Sequence, residues 1–191
     1  HDLKHQMRNI LNNKQVDTSE INKIEQAIDI YDSTYKTKNE ALNIVLMEKG
    51  LICKKNQIEL TCIIDASKLS FIKDNDIYSL FGNLLDNAIE AVKNLEQSKR
   101  VISLQIKNSG EFLIIKTYNN YNGKINFVNN LPITTKEDKD YHGYGLKSIK
   151  YIVEKYKGDL SISVKNNVFN VDIILLVDKN KLESDYNLRN S

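Results

Sequence analysis

The sequence has few of the residues and segments that cross-link a chain or insert it into a membrane. Among 191 residues it has two cysteines, Cys53 and Cys62, one proline, Pro132, and no tryptophan. Two cysteines without a C-x-x-C motif exclude a disulfide framework and favour a reducing cytosol as the compartment. No run approaches the roughly 18 consecutive apolar residues that a membrane-spanning helix needs. The sequence also has neither a signal peptide nor an initiator methionine.

An excess of charge of one sign is also absent. The chain has 27 basic and 25 acidic residues, a net charge of +2, which gives no reason to expect nucleic acid as the main partner. Since 41% of the residues are hydrophobic, the chain can bury a substantial core. His1 lies inside a patterned segment, so we expect the chain to be a fragment of a longer protein, from which a membrane-embedded N-terminal part could be missing.

Residues 1–37 are predicted to form a short helical hairpin. Apolar residues recur at spacings of three and four in two stripes, first Leu3, Met7, Ile10 and Leu11, then Ile21, Ile24, Ile28, Tyr31 and Tyr35. Narrow stripes are typical of helices that pack on other helices, and the first helix is too short to be stable alone. We therefore expect half of a four-helix bundle that a second copy of the chain completes, which would make the protein a homodimer. A linker helix is expected over residues 38–56, with Asn39 as its cap.

The pattern of residues 57–178 indicates one α+β domain. The stretch "QIELTCIID" alternates as a strand does, and Asp74 is expected to cap a long helix after it. Two further strands form a hairpin around "NSG". Strands paired by hairpins, combined with two or three helices, predict an α+β sandwich with helices on one face. Residues 179–191 are expected to be a polar tail.

A long polar loop is predicted over residues 120–142, and a loop of this length inside a compact domain is usually functional. A helix is expected to follow it, over Gly145–Tyr156, with Gly158 in the C-cap position. The last two strands are expected to form a second hairpin that turns at Asn166 and Asn167.

The long predicted helix contains "GNLLDNAIEA", in which Asn83 and Asn87 lie four residues apart and share one face. Asparagine is a poor helix former, so two of them in an apolar helix need a reason. Either they are exposed or bonded to the fold, or they face a ligand. In the second case, neutral amide oxygens suit Mg²⁺ when a nucleotide supplies the negative charge.

The stretch "YHGYGLKSI" has two glycines, Gly143 and Gly145, just before the second predicted helix. Glycine lets the backbone approach a ligand, and a helix N-terminus favours an anion, although most G-x-G pairs are ordinary turns. The preceding loop contains Thr135 and Lys136, and we expect it to close over a nucleotide with Lys136 reaching the phosphates. His142 is either a turn residue or a phosphate contact.

These motifs, in this order, resemble the ATP-binding domain of the GHKL superfamily, which includes gyrase and the histidine kinases. Asn83-x-x-x-Asn87 is similar to the N box of histidine kinases, and Gly143-x-Gly145-Leu146 is similar to their G2 box. The stretches "HDLKH", "YKTKNEALNIVLMEKG" and "TTKED" resemble the sensor histidine kinases that detect peptide pheromones in Gram-positive bacteria. With these stretches, the resemblance covers almost the whole chain.

The resemblance implies the GHKL, or Bergerat, α/β sandwich, a mixed sheet with helices on one face. It implies that ATP is bound with Mg²⁺, that His1 accepts its γ-phosphoryl group beside Asp2, and that a response regulator then receives this group. Asn119 falls where most histidine kinases have an aspartate that binds the adenine amino group. The implied nucleotide-binding residues are Asn83, Asn87, Asn119, Thr135, Lys136, His142, Gly143, Gly145 and Leu146, with Mg²⁺ on Asn83 and Asn87.

Four other interpretations fit parts of the sequence. "HDLKH" resembles a zinc-protease motif with Asp2 in place of the glutamate, but such a site needs a third ligand, and His142 is the only histidine besides His1 and His5. Gyrase-type hydrolysis needs a glutamate base at the position of Asn83. Serine kinases that act on anti-sigma partners share the fold but lack a bundle with an H-D pair. A nucleotide-binding or dimerisation module with little or no kinase activity is the main alternative.

Overall fold

The computed structural model describes residues 37–123, 126–128, 131–133, 139–180 and 182, and for 126–128, 131–133 and 139–144 it describes the backbone alone. The helical hairpin expected over residues 1–37 lies, apart from Thr37, outside the described residues, as does most of the tail expected over 179–191.

The helices are α1 (Glu40–Lys55), α2 (Asp74–Val92) and α3 (Lys139–Lys155). The strands are β1 (Glu59–Ile64), β2 (Val101–Ser109), β3 (Phe112–Asn120), β4 (Asn126–Val128), β5 (Leu131–Ile133), β6 (Asp159–Lys165) and β7 (Val168–Leu176). Two single turns of 3₁₀-helix, Leu69–Phe71 and Gln97–Lys99, precede and follow α2. Among the described residues no helix has the length and apolar character needed to cross a membrane.

Five strands form one mixed sheet in the order β1-β2-β3-β7-β6. Strand β1 runs parallel to β2, and all other neighbours are antiparallel. The hairpin predicted around "NSG" joins β2 to β3, and the one predicted at Asn166 and Asn167 joins β6 to β7. Both asparagines have positive φ, 52° and 60°, which the tight turns that match the sheet twist require. The strands and their hairpins therefore lie where the sequence predicts them.

The helices cover one face of this sheet. Helix α2 packs on β2 and β3, and α3 packs on β6 and β7. The buried apolar side chains of this layer include Ile102, Leu104, Ile106, Leu113, Ile115, Leu84, Leu85 and Ala88. Burial of each leucine or isoleucine contributes roughly 1.5–3 kcal/mol. On the opposite face Ile63, Phe112 and Ile174 are 53%, 47% and 44% exposed. A mixed sheet with helices on one face is the predicted fold class, which is therefore confirmed.

The two predicted helix caps have different outcomes. Asn39 caps α1 as predicted, because its side-chain oxygen accepts a 2.8 Å hydrogen bond from the Leu42 N–H. Asp74 does not cap α2, since Lys73 occupies the cap position and Asp74 is the first residue of the helix. In the first turn its carboxylate, with that of Asp76, interacts favourably with the positive end of the helix dipole.

Two expectations about residues 120–145 are wrong. The stretch predicted to be irregular contains β4 and β5, which pair as a small separate hairpin. Helix α3 begins at Lys139 and not at Gly145, so Gly143 and Gly145 lie inside the helix. A glycine costs only about 1 kcal/mol in a helix interior, which helical hydrogen bonding can offset. The anion-binding helix N-terminus expected at Gly145 is therefore not formed there.

Helix α3 ends in a Schellman motif in which Lys157, and not Gly158, adopts the left-handed conformation. Lys157 has φ of 54°. The N–H of Gly158 donates to the Val153 carbonyl oxygen, and the N–H of Lys157 donates to that of Glu154. Position 158 requires glycine for a steric reason, because a Cβ there would overlap Leu175 Cδ2.

We expect Lys157→Gly to stabilise the chain by up to about 1 kcal/mol, because glycine adopts a left-handed conformation without the Cβ penalty. Urea unfolding followed by circular dichroism measures this difference. Lys150→Gly is the matched control, since Lys150 is exposed inside α3 and should lose about 1 kcal/mol. A loss of stability in Lys157→Gly would contradict this account of the helix end.

Candidate functional site

One face of α2 is polar and turned toward α3. Asp76, Ser79, Asn83 and Asn87 follow one another at spacings of three and four, which brings them to the same side of the helix. The two helices pack together, and the hydroxyl oxygens of Ser79 and Ser148 lie 3.0 Å apart between them. The polar face is therefore a contact between the two helices that carry the predicted motifs.

Asn83 is held in one orientation. Its Nδ2 donates a 2.7 Å hydrogen bond to the Ser79 carbonyl oxygen, one turn earlier. Since a carbonyl oxygen can only accept, the amide nitrogen must face it and Oδ1 must point elsewhere. Asn83 Oδ1 lies 3.2 Å from the point where a Cβ of residue 145 would stand. The amide oxygen is thus presented toward Gly145 of α3.

Asn87 and Gly145 complete this arrangement. Asn87 Oδ1 lies 3.4 Å from the same Cβ point, and its Nδ2 lies 3.7 Å away. Within the part of the chain that the structure describes, no hydrogen bond engages the Asn87 amide. A glycine at 145 lets α3 approach both amides closely, whereas a larger residue would force them to move. The structure thus brings together three of the residues that the sequence singled out.

A second pair of polar side chains is buried on β3. Thr117 and Asn119 are 2% and 4% exposed and face inward, as Leu113 and Ile115 do. Asn119 Nδ2 donates a 2.9 Å hydrogen bond to the Asn120 carbonyl oxygen, which leaves Oδ1 as the acceptor. The Thr117 hydroxyl has no hydrogen-bond partner among the described residues. Thr117 was not predicted, although strand alternation from Asn119 places both side chains on one face.

The end of β3 lies beside the segment that follows α2 in the chain. Helix α2 ends at Val92, and soon after it the Lys99 carbonyl oxygen accepts a 2.8 Å hydrogen bond from Asn120 Nδ2. The N-terminal end of α2 instead contacts the end of α3, where Lys155 pairs with Asp76 at 2.7 Å. The candidate site therefore runs along α2, from the asparagine pair toward the end of β3.

A family model described as the GHKL domain matches residues 72–176, more than half of the chain. The chain belongs to the GHKL domain family. Its fold is similar to the catalytic domain of histidine kinase ThkA in a nucleotide-free form, with a TM-score of 0.57, 18% identity, and coverage of 76% of this chain and 95% of that one. It is also similar to the Acinetobacter baumannii histidine kinase AdeS, with a TM-score of 0.53, 14% identity, and coverage of 93% and 94%. At these identities the likeness shows the fold alone, and no curated protein matches the sequence.

Lys49 of α1 forms an ion pair with α2 of the GHKL domain. Its Nζ lies 2.8 Å from Asp86 Oδ1 and 3.0 Å from Glu48 Oε1, and its side chain is 9% exposed. Burial alone would lower the pKa of Lys49, but its hydrogen bonds to Asp86 and Glu48 and their charges outweigh burial and raise that pKa. Asp86 directly precedes Asn87, so α1 is anchored beside the asparagine pair. No sequence pattern indicated this contact, because its residues belong to different elements.

Asp76 ties the two helices together at the other end of the polar face. Its carboxylate accepts hydrogen bonds from Lys155 Nζ at 2.7 Å and from Tyr156 Oη at 2.5 Å. Tyr156 Oη in turn accepts a 2.9 Å hydrogen bond from the Lys73 N–H. Burial alone would raise the pKa of Asp76, but the hydrogen bonds from Lys155 and Tyr156 and the Lys155 charge lower it below the ordinary value of 3.8.

We expect Asp76→Asn to lower the free energy of unfolding at pH 7 by about 1.5–3 kcal/mol, the usual range for hydrogen bonds to a charged group. Because the folded-state pKa of Asp76 is lowered, its contribution is complete above the unfolded-state pKa and is lost as pH falls toward the folded-state pKa. The difference between wild type and variant should therefore shrink below about pH 4. Urea unfolding at several pH values measures it. Asp159→Asn, at an exposed position of β6, is the matched control and should keep the wild-type free energy of unfolding at pH 7.

Several predicted site residues have no described side chain. His1, Asp2, Thr135 and Lys136 lie outside the described residues, and for His142 and Gly143 only the helical backbone is described. Leu146 is half-buried on α3, next to Gly145. Their predicted roles stay predictions.

Magnesium is the metal that the donor atoms of this site suit. Within the described ranges, no group of three or more His, Cys, Asp or Glu side chains is placed to hold a metal ion. The oriented Oδ1 of Asn83 and the unengaged amide of Asn87 are neutral oxygen donors. Hard Mg²⁺ accepts such ligands when nucleotide phosphates provide the remaining oxygens. The two amides therefore fit Mg²⁺ carried by a nucleotide.

Proposed function

We propose that the chain is part of a two-component sensor histidine kinase that binds ATP·Mg²⁺ along α2. The observation that carries this proposal is the convergence of the Asn83 and Asn87 amides on Gly145. GHKL family membership and the likeness to histidine-kinase catalytic domains support it. The proposal includes the finer class, a membrane-anchored, homodimeric kinase of the peptide-pheromone type with a response regulator as its partner.

The phosphate end of the nucleotide is assigned to the asparagine pair, beside the point where Gly145 of α3 approaches it. Asn83 and Asn87 would hold Mg²⁺, which when bound neutralises charge on the phosphate oxygens. The remaining residues assigned to the phosphates are Thr135, Lys136, His142, Gly143, Gly145 and Leu146. The base end is assigned to Asn119, whose Oδ1 is free to accept from the adenine amino group because its Nδ2 is bonded to Asn120. A neutral amide makes a weaker hydrogen bond than a carboxylate would, so we expect modest ATP affinity.

His1 is the proposed phosphoryl acceptor. A neutral imidazole nitrogen, available at cytosolic pH, attacks the γ-phosphorus. The N–P bond forms as the bond to the bridging oxygen breaks, and ADP leaves with that electron pair. Asp2 accepts the imidazole proton. The phosphoryl group then moves from His1 to an aspartate of the response regulator.

A nucleotide-binding or dimerisation module with little or no transfer activity is the alternative. Asn119 in place of an aspartate is the observation that favours it. Hydrolysis by a gyrase-type mechanism is disfavoured, because Asn83 cannot take a proton from water.

Incubation with γ-labelled ATP and Mg²⁺ tests the proposal. We expect acid-labile label on the chain and none on His1→Gln. Retention of label in His1→Gln would remove His1 as acceptor. ATP binding by calorimetry without any labelling would favour the module, and absence of ATP binding would refute the kinase and favour a dimerisation module.

A further inference from the structure

Helix α2 carries a carboxylate one turn beyond the asparagine pair. Glu90 follows Asn83 by seven residues and Asn87 by three, so all three share one face of the helix. The rise from Asn87 to Glu90 is about 4.5 Å along the axis. The Glu90 side chain is 33% exposed and lies 3.6 Å from Lys93 Nζ. This polar face therefore continues toward the C-terminal end of α2 with an acidic group.

Glu90 lies between the two ends assigned to the nucleotide. Asn83 and Asn87 face Gly145 on the N-terminal side of it. On the C-terminal side, the end of β3 with Asn119 lies beside the segment that follows α2. If the phosphates lie at Asn83 and Asn87 and the base lies at Asn119, the ribose lies between them, near Glu90. A carboxylate repels phosphate oxygens, but it accepts strong hydrogen bonds from hydroxyl donors.

We propose that Glu90 determines specificity for the ribose sugar, with its carboxylate accepting hydrogen bonds from the 2′- and 3′-hydroxyl groups. Asp and Glu carboxylates bind ribose hydroxyls in this way in dinucleotide-binding folds. The Lys93 ammonium offsets part of the repulsion between Glu90 and the phosphates. This inference rests on the proposed function, because it needs ATP to bind along α2.

Calorimetry with ATP and with 2′,3′-dideoxy-ATP, both with Mg²⁺, tests it. We expect the wild-type chain to bind ATP roughly tenfold more tightly than the dideoxy nucleotide. Glu90→Gln should reduce this ratio, and Glu90→Ala should bring it close to one, while affinity for the dideoxy nucleotide should not fall. Glu154→Gln is the matched control and should keep the ratio, since it removes an exposed helical glutamate that lies 3.8 Å from Lys150.

Equal affinity of the wild-type chain for the two nucleotides would overturn the inference and leave the proposed ATP binding intact. A ratio that survives in Glu90→Ala would overturn it as well. If Glu90→Gln loses phosphoryl transfer but keeps the ratio of the two affinities, Glu90 acts in the transfer step and does not bind the ribose. If ATP does not bind at all, the proposed function fails first, and this inference falls with it.

Discussion

Gly158→Ala is expected to destabilise the chain by about 3 kcal/mol, a large part of the stability of a typical domain. An added Cβ would stand 2.6 Å from the Ile174 carbonyl oxygen and would overlap Leu175 Cδ2. The carbonyl belongs to β7, inside the sheet, so it cannot rotate away as a side chain does. The end of α3 would have to separate from β7 to relieve the contact. Urea unfolding and thermal melting measure the loss.

Gly82→Ala is the matched control for this substitution. Gly82 lies in α2, and a Cβ there meets no heavy atom within 4 Å. Alanine is favoured over glycine in a helix interior by roughly 1 kcal/mol, so this variant should be at least as stable as wild type. Equal stability of the two variants would show that the end of α3 is not packed against β7 as described.

Asn87→Ala is expected to weaken ATP·Mg²⁺ binding by about a hundredfold, because it removes one of two amides assigned to the phosphates and Mg²⁺. The free energy of unfolding should change by less than about 0.5 kcal/mol, because no hydrogen bond to other described residues is lost. Calorimetry measures the affinity, and urea unfolding measures the stability of the same preparation.

Asn75→Ala provides the comparison, since Asn75 is an exposed asparagine in the first turn of the same helix. Its ATP affinity should equal that of wild type. Asn87→Asp adds a test of charge, because it keeps the shape of the side chain and places a carboxylate near the phosphates. Unchanged ATP affinity in both Asn87 variants would remove Asn87 from the site and leave the fold unquestioned.

Local periodicity was enough to predict most of the sheet and helix α2. Alternation of apolar residues indicated β1, and the turn residues Asn166 and Asn167 indicated the hairpin of β6 and β7. Spacings of three and four indicated the buried face of α2 that includes Leu84 and Leu85. The same spacing predicted that Asn83 and Asn87 share a face. This prediction succeeds because it depends on the geometry of a single helix.

The misplaced and missed features depend on contacts between elements. The predicted start of α3 is six residues too late, because glycines at 143 and 145 indicate a turn although a helix can include them at modest cost. The Lys49–Asp86 pair joins α1 to α2, and no pattern within either helix specifies it. Alternation along β3 is enough to predict that Thr117 shares a face with Asn119. That this face is buried depends on the packing of the sheet against the helices.

The ion pair of buried Lys49 and exposed Asp86 also bears on where the chain can be cut. The segment matched by the family begins at residue 72, yet α1 and β1 precede it and pack on α2 and β2. A truncation at that boundary would remove Leu42, which is 0% exposed, and would leave Asp86 without its ammonium partner. The shortest piece worth expressing for crystallisation or calorimetry therefore begins near Thr37.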